Sequence, residues 1–452
     1  MQELLEKISS GRAVVGVIGL GYVGLPLSMI NAKKFEVVGY DIDTHVIHNL
    51  VQGLSTVDGV LPATLASFIG KTFFPTSQES DLEKCDIFMI CVPTPLGARN
   101  EPDLNALRGA SRLVGRHLRK GTLVILESTT YPGTTDSVVV PILEERGMRA
   151  GLDFFVAYSP ERIDPGRADV ELESIPKIVG GHDGNSAIVA RRFLQACFKT
   201  VVTVKDCRTA EATKMLENIF RAVNIALVNE LTLALEKMDI NVWDVIEAAS
   251  TKPFGFMAFR PGPGIGGHCI PLDPYYFSYA AKQVGVLTRF IELSGEVNSF
   301  MPFHVVKLLR SAVRAAGKNL KGSSIAVLGL SYKRNVSDTR ESSSAKVIEE
   351  IVRQGGTVKT YDPLAKGIQT ESGFFQSATS VESALEGADA VVFLVDHSTF
   401  QGLPTTIFQN SMRRNPVVVD CRNIFDAPPP GTLYVGLGKR GNAQTDTPST
   451  PV

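Results

Sequence analysis

The 452-residue sequence predicts an α/β protein: two doubly wound domains joined by a long central helix and a helical region. Three observations predict it. Short β-branched apolar runs alternate with helical patterns over the first two hundred residues, the pattern of a parallel sheet covered on both faces. A stretch of some thirty residues from about 208 then lacks Gly and Pro. The strand–helix alternation starts again at 324.

The elements follow in order. Residues 13–19 (AVVGVIG) read as a buried parallel strand and 22–33 as a helix, with a second strand over 36–41. Further strands are expected at 86–92, 122–127, 154–157 and 177–180, with helices at 104–119 and 135–146. The segment 208–238 reads as one helix of roughly 45 Å at 1.5 Å per residue, followed by a helix at 241–250. The densest Gly/Pro stretch, 252–274, must be a loop. Helices resume at 275–284 and 288–317. A second α/β unit carries strands at 324–330, 357–361, 389–395 and 416–420, with a helix at 343–354. The expected domains are 1–207, 208–318 and 319–440, with 441–452 a polar, aromatic-free, disordered tail.

Composition narrows the function. Hydrophobic residues are 44% and charged residues 21%, as in globular proteins, and 46 Lys plus Arg balance 47 Asp plus Glu. That balance gives no broad basic surface for nucleic acid or anionic lipid. Six cysteines form no CxxC pair and seven histidines add no zinc spacing, so no metal is expected and a reducing cytoplasm is the natural compartment. The opening MQELLEK has no leader pattern. The apolar stretch from Val14 to Ile30 is broken by four glycines and Pro26, which suits a strand, turn and helix better than a membrane span.

Gly19-Leu-Gly21-Tyr22-Val23-Gly24 matches GxGxxG, follows a strand, opens a helix, and has Asp41 ending the next strand. That context marks a dinucleotide site. Gly19 permits the turn, Gly21 admits a pyrophosphate and Gly24 lets helix and strand approach. The helix N-terminus favours phosphate. Asp41 would accept from ribose hydroxyls and repel a 2′-phosphate, so NAD is expected over NADP. Thr94 and Thr129 stand at strand ends, where they either bond cofactor or substrate or cap the next helix.

Gly266-Gly267-His268-Cys269 places a thiol among residues that cannot shield it. A nucleophilic Cys269 needs a nearby cation, helix N-terminus or proton acceptor; an ordinary loop cysteine is the alternative. His268 is a base, a binding group or a packing residue. Asp273 either accepts a proton or caps the next segment, and Arg260 either meets a phosphate or carboxylate or faces solvent. Lys214 and Asn218, four apart on the long helix, share a face and would hold an alkoxide, or else lie on a solvated surface.

These residues, with VIGLGYVGLP (17–26), VPTP (92–95), ESTTYPGT (127–134), YSPERIDPG (158–166), EATKMLENIFRAVNIALVNE (211–230), FRPGPGIGGHCIPLDPYY (259–276) and LGLSYKRNVSDTRES (328–342), resemble the UDP-glucose/GDP-mannose dehydrogenase family. The resemblance implies two Rossmann-like domains, the first for NAD and the second for a UDP-sugar, around a helical dimerisation region. It implies two successive oxidations of a sugar C6 alcohol, consuming two NAD+, through a thiohemiacetal and a thioester on Cys269. It carries over Lys214 and Asn218 as the oxyanion pair, Asp273 as an acid near the thiol, Glu161 as the acid of thioester hydrolysis and Thr129 as the residue positioning water. Tyr22, Val23, Thr94 and Arg340 would contact NAD. Arg162, Gly266, His268 and Lys333 would contact the sugar nucleotide, and Arg260 would reach a neighbouring subunit's site in a homodimer.

The loop GPGIGGHCIPLDPYY, with YSPERI and RPGPG, resembles the branch acting on UDP-N-acetylhexosamines. UDP-N-acetylglucosamine is the first expectation, before the manno and galacto epimers or UDP-glucose. The product would feed a surface polysaccharide. A two-electron hydroxyacid dehydrogenase leaves the loop thiol and the second α/β domain unexplained, and a non-catalytic nucleotide sensor would have no use for the thiol.

Overall fold

The computed structural model describes residues 1–55, 57, 59–97, 101–162, 171–267 and 270–439. The expected tail, His268 and Cys269 lie outside the described residues. The chain divides into two compact units: Met1–Asn218 with Leu272–Leu287, and Ile219–Pro271 with Thr288–Val452.

The first unit is built on eight strands: β1 (Val14–Ile18), β2 (Glu36–Tyr40), β3 (Phe73–Thr76), β4 (Ile87–Ile90), β5 (Leu123–Leu126), β6 (Phe155–Tyr158), β7 (Lys177–Gly181) and β8 (Val201–Thr203). Their order is β3-β2-β1-β4-β5-β6-β7-β8. The first six are parallel in the 3-2-1-4-5-6 order of a dinucleotide-binding sheet. β7 runs antiparallel to β6. β4 and β5 are buried along their whole length, which explains why they read as unbroken apolar runs rather than alternating ones. Two strands escaped the sequence reading. Phe73–Thr76 contains Pro75 and sits at the sheet edge, where a missing N–H is tolerated; Val201–Thr203 is only three residues long.

The second unit carries β9 (Ser324–Leu328), β10 (Thr357–Tyr361), a hairpin of β11 (Gly367–Thr370) and β12 (Gly373–Gln376), β13 (Ala390–Phe393), β14 (Val417–Asp420) and β15 (Leu433–Gly436). Five of these form a parallel sheet in the order β10-β9-β13-β14-β15, and the sequence reading had missed the hairpin and β15. The helix Arg289–Ala315 packs its buried Val305, Leu309 and Val313 into the core of this sheet.

The helix Cys207–Lys237 is continuous for 31 residues, as the absence of Gly and Pro requires. It is long and apolar enough to cross a bilayer by length and composition. It nonetheless buries Glu211, Lys214, Asn229 and Thr232.

The two sheets repeat one local device. Gly19, at φ +92°, donates its N–H to Tyr40 O, and Asp41 Oδ2 accepts from Leu20 N. Gly329, at φ +90°, donates to Tyr361 O, and Asp362 Oδ2 accepts from Leu330 N. The outcomes differ. Asp362 is buried and also takes N–H groups from Ser331, Leu364 and Ala365, with His397 Nε2 3.1 Å from Oδ2. Burial alone would raise its carboxyl, but the bond to His397 and the backbone donors hold it down to about 2.

Asp362→Ala would orphan these donors inside the second unit, at a cost of about 3 kcal/mol. The sole tryptophan, Trp243, bonds Leu437 O in that unit, so urea unfolding followed by its fluorescence is expected to show the midpoint falling.

Candidate active site

The glycine turn of the first unit has the shape a pyrophosphate needs. A Cβ on Gly24 would lie 1.8 Å from Gly19 O, so any side chain there would force strand and helix apart. A Cβ on Gly21 would meet nothing within 4 Å, which leaves open space above the turn. No side chain caps the helix Gly24–Ala32, which starts two residues later than the sequence suggested. Its N-terminal field is therefore available to an anion. Asp41 takes Leu20 N on Oδ2 and Asp43 N on Oδ1 and is only partly buried, so each oxygen keeps a lone pair for a ribose hydroxyl. Ile42, beside it, is 85% exposed. These residues fit NAD. Thr94 donates its hydroxyl to Thr129 O at 2.8 Å, tying together the loops after β4 and β5. Tyr276 OH clamps the first of these loops from the helix Asp273–Gln283, bonding Thr94 O and, at 3.1 Å, Pro95 O.

The first stretch of the long helix organises the chemical groups. Glu211, Lys214 and Asn218 fall within about 60° on a helix of 100° per residue. Glu211 is buried and accepts from Gly133 N, Thr135 N and Thr135 Oγ1, which holds the loop after β5. Burial pushes its carboxyl up to about 7 against those bonds. Lys214 Nζ donates to the Glu161 carbonyl at 2.7 Å. Asn218 Nδ2 donates to Asp273 Oδ2. Burial pushes Asp273 up to about 7, opposed by the Lys214 charge and the Asn218 bond. A carboxyl poised there exchanges protons readily at neutral pH.

Lys214 and the Glu161 carbonyl form one bonded pair, and Asn218 and the Asp273 carboxylate another. Thr129 is half-buried at the end of β5. Glu161 Oε2 lies 3.0 Å from Lys177 Nζ, which also meets Glu127 Oε2 at 2.6 Å. Arg162 is engaged bidentately by Glu217 and also donates to Pro176 O, so its side chain props the loop after β6. Sequence reasoning missed Glu127, Lys177, Glu211 and Tyr276 as site residues. Only Glu211 had a visible signal, its i, i+3, i+7 spacing with Lys214 and Asn218.

In the second unit Arg260 is exposed, on a segment whose Gly262 N bonds Asn229 Oδ1 at 3.1 Å. Gly266 and Gly267 lie against Tyr332. A Cβ on either would come within 2.9 Å of its atoms, and Gly267 sits at φ +96°. This close packing on the Lys333 loop is one reason for both glycines. Lys333 is half-buried, and Arg340 pairs with both Asp338 oxygens at 3.0 Å. Among the described residues no group of His, Cys, Asp and Glu could hold a metal.

Asp41→Asn would remove the charge that repels a 2′-phosphate and weaken the ribose bonds. Calorimetric titration is expected to show NAD binding about tenfold weaker and NADP binding improved.

Three family models match the chain: the NAD binding domain over 13–202, the central domain over 208–299 and the UDP binding domain over 326–427, all of the UDP-glucose/GDP-mannose dehydrogenase family. A UDP-N-acetyl-D-mannosamine dehydrogenase of Pyrococcus horikoshii is 37% identical over 94% of this chain and 99% of its own length. A UDP-N-acetyl-D-glucosamine 6-dehydrogenase of Pseudomonas aeruginosa is 35% identical over 91% and 97%. The solved structure of the Pyrococcus horikoshii UDP-D-ManNAc dehydrogenase superposes with a TM-score of 0.88 at 36% identity, covering 95% of this chain and all of that one. The chain belongs to the UDP-glucose/GDP-mannose dehydrogenase family and is an NAD-dependent oxidoreductase of UDP-sugars.

Proposed function

We propose that the chain oxidises the C6 hydroxyl of a UDP-N-acetylhexosamine, UDP-N-acetylglucosamine first among them, to the uronate. The observation that carries this reading is the pair of bonds from neighbouring positions of one helix, Lys214 to the Glu161 carbonyl and Asn218 to Asp273. NAD supplies the hydride acceptor for both oxidations. Lys214 and Asn218 offer an ammonium and an amide donor to the oxygen that bears negative charge in each step. Cys269 captures the aldehyde as a thiohemiacetal and holds the acyl group as a thioester until water releases it. Asp273 exchanges the thiol proton. Thr129 positions the water and Glu161 takes its proton. Relatives named for the gluco, manno and galacto sugars match at 32–37% identity, so the epimer rests on the loop around Cys269.

Gly19, Gly21, Tyr22, Val23, Gly24, Asp41 and Thr94 hold NAD in this reading, with Arg340 a further contact. Arg162, Gly266, His268 and Lys333 serve the sugar nucleotide. The working divisions are 1–207 for the cofactor, 208–318 for the helical region and 319–440 for the UDP-sugar. The assembly is a homodimer in which Arg260 reaches the neighbouring site. Leu216, Phe220, Leu227 and Leu231 support it: they form an exposed apolar stripe on the long helix, on the side roughly opposite Lys214. The compartment is the cytoplasm, consistent with the five described cysteines, all free.

Purified protein given UDP-N-acetylglucosamine and NAD+ is expected to yield about two NADH per sugar. One NADH with aldehyde accumulating contradicts the covalent scheme. Cys269→Ala is expected to abolish uronate formation. Lys214→Ala is expected to lower kcat by at least about 100-fold while calorimetry shows NAD binding retained.

A further inference from the structure

The ammonium of Lys177 is buried with three acceptors for its three protons. They are Glu127 Oε2 at 2.6 Å, Glu161 Oε2 at 3.0 Å and Pro160 O at 3.2 Å. The Lys177 side chain is 3% exposed and that of Glu127 is fully buried. Nζ also lies 5.5 Å from the Phe198 ring centroid. Glu161 Oε1 accepts from Arg162 N at 2.6 Å, so both its oxygens are fixed. Glu127 Oε1 is buried with no hydrogen-bond partner. An orphaned buried acceptor of this kind costs about 1–3 kcal/mol.

We propose that Lys177 and Glu127 are a positioning pair for Glu161 in the hydrolytic half of the reaction: Lys177 aims the Glu161 carboxylate, and Glu127 offsets the ammonium charge so that Glu161 remains able to take a proton. This deepens the reading above and rests on the role given there to Glu161. The step balances as follows. Water adds its oxygen to the thioester carbonyl carbon and gives one proton to Glu161. The C–S bond breaks and its electron pair leaves on sulfur as the Cys269 thiolate. The uronic acid then loses its remaining proton to solvent.

The charges account for both partners. The Lys177 ammonium, 3.0 Å from Glu161, attracts the negative charge of its carboxylate. A second carboxylate on the same ammonium cancels much of that effect. When Glu161 takes a proton, a neutral Lys177–Glu127 pair is left inside the protein instead of an isolated cation. Burial pushes Glu127 up to about 8 against the pull of Lys177, with Glu161 adding to the rise. Burial would lower Lys177, but the two carboxylates more than reverse it and keep the ammonium charged. Among the described residues, Lys214 also faces the cluster through its bond to the Glu161 carbonyl, as do Cys91, beyond β4, and Tyr158 on β6. Burial raises the Cys91 and Tyr158 groups, and both stay neutral. As pH climbs through about 8, Glu127 ionises and its charge comes to offset that of Lys177.

The test uses the full chain with UDP-N-acetylglucosamine and NAD+, rapid mixing, NADH absorbance and acid-quenched intact-protein mass. Above pH 8, where wild-type Glu127 is ionised, Glu127→Gln and Lys177→Met are expected to keep the rate of the initial NADH burst. Steady turnover should fall about 10- to 100-fold, and a covalent sugar adduct should accumulate. Wild-type hydrolysis should rise through pH 8, and Glu127→Gln, fixed in the neutral form, should lose that rise. If either single variant fails to fold, the paired Glu127→Leu/Lys177→Met replacement, which leaves neither member of that pair as an orphaned charge, should fold and show the same adduct. Adduct hydrolysis at the wild-type rate in these variants overturns the proposal, as does equal slowing of the burst and the turnover. If wild type itself forms no adduct and gives one NADH per sugar, the covalent reading falls and this proposal with it.

Discussion

One face of one helix carries three polar side chains that burial forces to find partners, and the chemistry of the first unit is arranged around them. Glu211 and Lys214 are buried and Asn218 is partly so, and a buried polar group without a bond is costly. Each therefore fixes a different piece of chain: the turn after β5, the Glu161 carbonyl after β6 and the Asp273 carboxylate at the start of a helix. The loops that follow the C-terminal ends of parallel strands are where open α/β sheets place ligands. Here they are held by bonds from a single rigid rod. The same rod turns an apolar stripe outward on its other side, so the residues proposed for chemistry and those proposed for assembly share one element.

The repeated glycine turn shows how little separates a ligand site from a structural joint. Gly19-Leu-Gly21-Tyr22 before Asp41 and Gly329-Leu-Ser331-Tyr332 before Asp362 share their first hydrogen bonds. In the first, Gly21 leaves open space and Asp41 stays partly exposed. In the second, a serine replaces that glycine, and Asp362 spends its lone pairs on four backbone N–H groups and His397. Backbone geometry alone does not make a dinucleotide site; accessibility of the acid and of the second position does.

The fold was legible where periodicity and glycine placement are strong. The β1 turn, the thirty-residue helix and the restart at 324 follow from local rules. The repeat between the two turns was also present in the sequence, yet it spans only a few residues in each half. Edge strands, the β11–β12 hairpin and β15 carry weak or short signals because their neighbours define them more than their own residues do. In the site, glycines and the Lys214–Asn218 spacing could be read directly. Glu127 and Lys177 could not, since a charged residue at a strand end reads as solvated until the sheet closes over it. Gly266 and Gly267 had an unforeseen structural reason in Tyr332, which sits more than sixty residues away in sequence.

The most direct measurement is a crystal structure of the Cys269→Ser variant with UDP-N-acetylglucosamine and NAD+ bound. The sugar's C6 oxygen is expected within about 3 Å of both Lys214 Nζ and Asn218 Nδ2, with Lys214 still near the Glu161 carbonyl. A sugar whose C6 oxygen lies beyond reach of both groups would contradict the claim that this helix face bears the reacting oxygen.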